Sequence, residues 1–473
     1  MPTAIAEHLP LAAFLLPLSG AAIILLMSSA GLATVRCIAL ATVLGTLVTA
    51  ILIIVEYDVA KAADATEPMP IQMVSSFRWL GSPGSIQQPS TAPLENEQTP
   101  TLDVIGPDIR FAVGVDGIAI WLVLLTAILA IPALMAATDV DRKSPSAFYA
   151  FLLLFLGAAI GLFTALDVIL FVICLEVSTV AIYFLIGYWG GYDRRQIARK
   201  LIIYNLVGSA LVLIGLTSLV IAHAWMTTTA AAPVPQLTFS IPRLIAEIPQ
   251  AAVQDAGAEE YWRHVTPWIF TALLLGFAIK SPLIPFHTWM PEANYDAPAA
   301  VSLLLAGVAL KFGFFGLIRF VVPLFPEMLS ASEGLLLPLA VLGGIFAALI
   351  TLGHDDMKRA VTYSCLVQLE LCAAAVATMS VEGVFGAMLQ LIAGGVAFGG
   401  LLFLIGELEL RFQTRDIEAF SGLLQHFPRL SLCAAFFVFS LIATPGLAGF
   451  PGSWLSIIAM FQANIGALLG SEE

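Results

Sequence analysis

Four ionisable side chains stand in the middle of long apolar runs: Glu176, Lys280, Lys311 and Glu370. At a bilayer centre each such charge costs roughly 2.5–3.5 kcal/mol, so four cost about 10 kcal/mol or more unless they pair or are hydrated. One reading is a set of buried ion pairs that fixes helix packing. The other is a relay that moves protons or cations. A lysine beside a carboxylate is held charged, and withdrawing the carboxylate releases the proton. At about 4 Å and an effective dielectric of 20 the attraction is near 4 kcal/mol, large enough to switch a lysine. Lys280 lies just before Ser281-Pro282-Leu283-Ile284-Pro285, where an interior lysine is open to hydration. Glu370 lies eleven residues beyond Arg359, which is about 16 Å at 1.5 Å per residue. That is mid-depth in a core of roughly 30 Å, where Lys311 is the lysine left without an assigned partner.

The elements that must hold these charges follow from composition. The chain has 473 residues, 59% hydrophobic and 11% charged, and a mean hydropathy of +0.95. A soluble domain carries about 25% charged residues. The balance excludes an ordinary soluble enzyme, a disordered chain and a disulfide-stapled domain, and leaves an all-α polytopic membrane protein. A net charge of −13 argues against nucleic acid as partner. Apolar runs fall near 8–28, 35–55, 116–137, 147–165, 168–188, 200–224, 267–285, 298–322, 334–353, 360–380, 383–408 and 430–466, about twelve transmembrane helices. The seventh breaks at Pro282 and Pro285. The twelfth breaks around Pro445, Gly446, Gly449, Pro451 and Gly452. Proline removes a backbone donor, and a broken helix survives at membrane depth only where protein or a water-filled cavity satisfies the freed backbone. Two such breaks suggest a transport path.

Orientation follows from lysine and arginine. With the N-terminus outside, the inside loops hold twelve basic residues, including Arg142, Lys143, Lys358 and Arg359, and the outside loops hold six, including Arg319. Both termini are therefore expected outside, and residues 1–30 read as a retained first span because no positive charge precedes them. The long loops 56–115 and 226–266 read as solvated caps. The layout is 1–110 for two spans and a long loop, 111–466 for the transmembrane core and 467–473 for an acidic tail. Cys37, Cys174, Cys365, Cys372 and Cys433 lie in apolar runs with no CxxC pair, so they read as packing residues. No nucleotide loop or metal-ligand cluster is visible, and no cofactor is expected on this chain.

Several stretches resemble one family. Leu166-Asp167-Val168-Ile169-Leu170-Phe171 through Glu176 to Gly190-Gly191 is similar to its fifth span. Gly276 to Ala293, containing Lys280-Ser281-Pro282-Leu283-Ile284-Pro285-Phe286-His287, is similar to its broken seventh. Leu305-Ala306-Gly307-Val308-Ala309-Leu310-Lys311-Phe312-Gly313 with Arg319-Phe320 resembles the eighth, Asp356-Met357-Lys358-Arg359 with Tyr363-Ser364 the tenth, and Val115-Asp116-Gly117 the start of the third. The family is the antiporter-like membrane subunit M (chain 4) of respiratory NADH:quinone oxidoreductase, complex I. The form of the eighth span favours subunit M over subunit L. The resemblance implies an antiporter-like fold with inverted repeats. It implies that Glu176 modulates Lys280, that Lys280 takes up a proton from the inside, and that Lys311 passes it along the central axis. His287, at the mouth of the break, and Glu370 are further candidates.

The sequence departs from that family on one side of the path. Histidines usual in spans ten and eleven are replaced by Gln368 and Gly394, and the glutamate or lysine usual at the span-twelve break by Ser453. None of the three titrates near pH 7. Glu370 is an extra carboxylate two residues past Gln368. The chain stops after twelve spans where the family has fourteen. The expectation is a proton-translocating subunit in the cell inner (plasma) membrane, beside L-like, N-like and K-like subunits in lipid. Quinone, NADH, flavin and iron–sulfur clusters would belong to those partners. The rivals are a D-type subunit of a multisubunit cation/proton antiporter or of a membrane-bound hydrogenase, and a spacer that joins pump subunits without pumping.

Overall fold

A computed structural model describes residues 6–27, 31–63, 69–80, 109–137, 144–228, 237–254 and 256–469. Most of loop 56–115, the basic pair Arg142 and Lys143, and most of the acidic tail lie outside the described residues. The chain forms helices α1 (Leu9–Leu26), α2 (Leu32–Glu56), α3 (Ala119–Ala136), α4 (Pro145–Thr164), α5 (Val168–Trp189) and α6 (Arg194–Met226). After these come α7 (Ile241–Gln254), α8 (Ala256–Lys280), α9 (Trp289–Asp296), α10 (Ala299–Leu324), α11 (Pro326–Leu352), α12 (Met357–Ala377), α13 (Val381–Phe412), α14 (Pro428–Leu441) and α15 (Gly449–Leu469).

Ten helices among the described residues are long and apolar enough to cross a membrane, and they coincide with ten of the twelve expected runs. The other two runs are the broken ones. The seventh is α8 and α9 with a break between them, and the twelfth is α14 and α15. Counting the helix pair bent by 115°, Glu418–His426 with Pro428–Leu441, as one span gives up to eleven among the described residues by length and composition, against the twelve expected.

Two expected caps are more ordered than their composition suggested. Strand β1 (Gln72–Leu80) pairs antiparallel with β2 (Ile109–Val115), with Phe77 opposite Phe111 and Arg78 opposite Arg110. Residues 241–254 form α7, whose Ile241, Leu244, Ile245 and Ile248 are buried, the i, i+3, i+4, i+7 stripe of an amphipathic helix. Helix α8 starts within the expected loop, so Glu259 and Glu260 belong to its first turns.

Helix α10 is the hub. Its apolar stretch is entirely buried, and it packs against α3, α8 and α13. Two π-helical turns, Leu305–Ala309 and Leu317–Val321, interrupt it. Such turns insert one residue, free a carbonyl and cluster at functional sites. The broken end of α8 lies directly against α10 because Gly313 has no side chain: a Cβ there would overlap Ser281 and the Phe277 carbonyl.

Candidate functional site

Helix α5 begins at Asp167, whose carboxylate accepts from the Ile169 and Leu170 amides and so caps the helix. From that start, Glu176 and Thr179 fall three residues apart on one face. Both reach Lys280. The Lys280 ammonium donates to Thr179 Oγ1 at 3.1 Å and stands 3.9 Å from Glu176 Oε1. The lysine side chain is 2% exposed and the glutamate 31%. At that separation the attraction is about 4 kcal/mol at an effective dielectric of 20. Lys280 is the last residue of α8, where the unpaired carbonyls of a helix C-terminus favour a cation.

A cavity of about 20 Å³ adjoins Lys280, lined by Thr179, Asn205, Trp289, Leu305, Ala309 and Phe312 among others. One water needs roughly 10–15 Å³ on this measure. The cavity touches the π-turn of α10 that precedes Lys311. Lys311 is buried, and its ammonium bonds the Ala306 carbonyl within that turn. Leu310 N bonds Leu305 O at 3.2 Å, the wide i+5 spacing that leaves Ala306 free to receive the lysine. Among the described residues Lys311 makes no ion pair.

Glu370 is buried but does not partner Lys311. Its Oε1 accepts the Ile284 amide at 2.6 Å, inside the break of the seventh span. A freed backbone N–H draws the carboxylate away from the central lysine. His287 sits half-buried in the short turn Phe286–Thr288, its ring 6.1 Å from that of Phe346. Nearby, Tyr204 bonds Thr288 at 2.9 Å and Lys200 pairs with Glu292 at 2.7 Å, tying α6 to the second half of the broken span. Trp289 Nε1 donates to the Ile279 carbonyl at 3.2 Å and satisfies one acceptor that the break exposes.

The three departures from the family meet the second break. Gln368 Nε2 donates to the Leu441 carbonyl at 2.9 Å, where α14 ends. Gly394 makes room for that amide, since a Cβ there would lie 2.8 Å from Gln368 Oε1. Ser453 Oγ bonds Gln390 Oε1 at 3.1 Å, and both residues are buried. The result is a polar seam without a titrating group at those positions.

One buried pair was not expected. Arg319 donates to both oxygens of Asp116, at 2.6 and 3.2 Å, with both side chains under a tenth exposed. Asp116 Oδ1 also accepts the Ala119 amide at 2.9 Å and caps α3. Burial pushes this carboxyl up, but Arg319 outweighs it and holds the group below the usual carboxylate range. The pair borders a cavity of about 720 Å³. Arg319 is therefore an interior residue and not part of an outside loop. Lys358, counted with an inside loop, is also buried and donates to the Ala297 carbonyl at 2.7 Å. The basic-residue bias becomes eleven against five and keeps its sign.

Residues 165–471 match the family described as NADH:quinone oxidoreductase/Mrp antiporter, TM. The chain belongs to that family. It is 31% identical to NADH-quinone oxidoreductase subunit M of Rhodobacter capsulatus over 356 residues, 75% of this chain and 67% of that one. Respiratory complex I from Thermus thermophilus contains a similar chain, with a TM-score of 0.72, 25% identity, and coverage of 97% of this chain and 83% of that one. An archaeal membrane-bound sulfane sulfur reductase contains another, with a TM-score of 0.73 over 98% of this chain and 85% of that one. At 18% identity that likeness concerns the fold alone. The resemblance to subunit M read from the sequence is borne out, and the chain is a polytopic, antiporter-like membrane protein.

Proposed function

We propose that this chain carries protons across the inner (plasma) membrane as a membrane-arm subunit of a complex I-like NADH:quinone oxidoreductase. The observation that carries the reading is the 3.9 Å approach of Glu176 and Lys280 at the broken seventh span. Lys280 is the loading site and Glu176 its modulator. In the charged state the carboxylate and the helix C-terminus hold the ammonium. When Glu176 moves or is neutralised, the ammonium loses most of an attraction of about 4 kcal/mol. Its proton then passes through the adjoining cavity toward Lys311. The step is driven by removing the carboxylate's support. His287, Lys200 and Glu292 stand at the inside mouth. The chain supplies no redox centre in this reading; quinone reduction, NADH oxidation and the clusters belong to neighbouring subunits of the L, N and K types. Both termini face outside.

A second reading has an observation of its own. Gln368, Gly394 and Ser453 form a seam without a titrating group, which suits a spacer that joins pumping neighbours. Purifying the complex through a tag on this chain tests the partners: NADH-dehydrogenase subunits support the first reading, and antiporter or nickel-hydrogenase subunits contradict it. In the same preparation, Lys280→Met is expected to insert and assemble normally and to lose this subunit's proton transfer.

A further inference from the structure

Four backbone N–H groups exist between Ser281 and Phe286, because Pro282 and Pro285 have none. Three find acceptors nearby in the chain. Ser281 N bonds Phe277 O at 2.9 Å, Leu283 N bonds Ala278 O at 3.0 Å, and Phe286 N bonds Leu283 O at 2.6 Å. The fourth, Ile284 N, is bonded by Glu370 of the tenth span, 86 residues away. A buried N–H without a partner is strongly disfavoured, and a carboxylate makes the stronger, charge-assisted bond.

The surroundings are shaped for this contact. Helix α11 passes the carboxylate at Gly343, where a Cβ would come within 3.0 Å of Glu370 Cδ, and at Gly344, where it would lie 3.6 Å from Glu370 Cβ. On its open side the carboxylate borders a cavity of about 110 Å³ whose lining includes Leu283, Ile284, Pro285, Val321, Ala340 and Val376. Glu370 is the one ionisable residue among those that line it. Glu370 and Lys311 form no ion pair. A proton carrier needs a donor and an acceptor within reach, and the cavity wall offers neither.

We propose that Glu370 is a positioning residue: it pins the Ile284 turn of the broken seventh span to the tenth, fixes the end of α8 where Lys280 sits, and carries no proton itself. This rests on the relay reading of Lys280. It also assigns the extra carboxylate a task other than replacing the lost outlet residues.

The test compares Glu370→Gln with Glu370→Leu in the assembled complex, by amide hydrogen exchange over residues 276–290 and by proton-to-electron stoichiometry. Glutamine keeps an oxygen that can accept from Ile284, so Glu370→Gln is expected to retain slow exchange and wild-type stoichiometry. Leucine cannot accept. Exchange of the Ile284 amide is expected to rise by about tenfold or more, the change that follows loss of one buried hydrogen bond, and proton transfer is expected to fall. If Glu370→Leu fails to assemble, Gly343→Val displaces the intact carboxylate and is expected to speed the same amide. Loss of proton transfer in Glu370→Gln with Ile284 still protected would make Glu370 a carrier and overturn the proposal. Unchanged exchange in Glu370→Leu, or in Gly343→Val where the leucine variant does not assemble, would also overturn it. The exchange readout needs no proton transport, so it stands apart from any failure of the Lys280 reading.

Discussion

Removing Arg319 should cost this protein more than most single substitutions. In Arg319→Met, Asp116 loses two hydrogen bonds of 2.6 and 3.2 Å and the positive charge that supports them. It keeps the Ala119 amide. Both partners are more than nine-tenths buried, so the carboxylate is left with that amide and such water as the adjoining cavity admits. Breaking a buried pair by removing one partner costs about 3–5 kcal/mol. Asp116→Asn is expected to cost a similar amount. Asparagine still caps α3, yet it leaves Arg319 charged and unpaired. The double variant Asp116→Asn/Arg319→Met removes both charges, and its loss should be smaller than the sum of the singles by about 2 kcal/mol or more. The assay is equilibrium unfolding in mixed detergent–SDS micelles. The sign of the pH dependence is also fixed. Asp116 is depressed by Arg319 against the upward push of burial. Its contribution is therefore present above the ordinary carboxylate pKa of about 3.9 and lost as pH falls through the lower folded value. In Arg319→Met burial is opposed only by the Ala119 and Ile118 amides, and the acid loss should move to higher pH. Additive singles, or a cost below about 1 kcal/mol for Arg319→Met, would refute the assignment of a coupled buried pair.

Other consequences are open to measurement. Gly394→Ala pushes the Gln368 amide off the Leu441 carbonyl and is expected to cost about 0.5–1.5 kcal/mol, with Gln368→Ala removing most of the further effect. At the α7 face, burial alone would raise Glu247, but the hydrogen bonds from Arg243 and His223, at 2.8 and 2.7 Å, override it and hold its carboxyl below the ordinary range. Its support of folding is thus present above the ordinary glutamate pKa of about 4.3 and fades as pH drops through the lower folded value. Arg243→Ala should shift that loss to higher pH, read by acid unfolding followed by tryptophan fluorescence.

What could be read from the sequence is what costs free energy in a bilayer. Glu176 and Lys280 stand out because a charge at mid-depth needs a reason, and the two prolines after Lys280 mark where α8 must stop. Asp116 and Arg319 were hidden because the arginine ends an apolar run, where a flanking outside charge is ordinary, and its partner is 203 residues away. The destination of Glu370 was hidden for a related reason. Depth suggested Lys311, but the nearest unsatisfied group was a backbone N–H, which leaves no side-chain signature. Strands β1 and β2 and helix α7 lie inside loops read as caps: the strands pair across a long intervening segment that no local pattern marks, whereas the Ile241, Leu244, Ile245 and Ile248 stripe of α7 is itself a helical pattern in the sequence. The π-turns of α10 have no marker in Leu305-Ala306-Gly307-Val308-Ala309, yet they set the direction in which Lys311 points.

If Lys280, governed by Glu176, moves protons, its removal must lower the proton yield of the complex. The most direct test is the proton-to-electron stoichiometry of the assembled complex in proteoliposomes, wild type against Lys280→Met, with NADH-driven quinone reduction followed at the same time. Lys280→Met is expected to assemble at wild-type abundance and to translocate fewer protons per electron pair, by the share of one subunit. An unchanged ratio in a fully assembled Lys280→Met complex would contradict proton transfer through Lys280 and leave this chain a spacer between pumps.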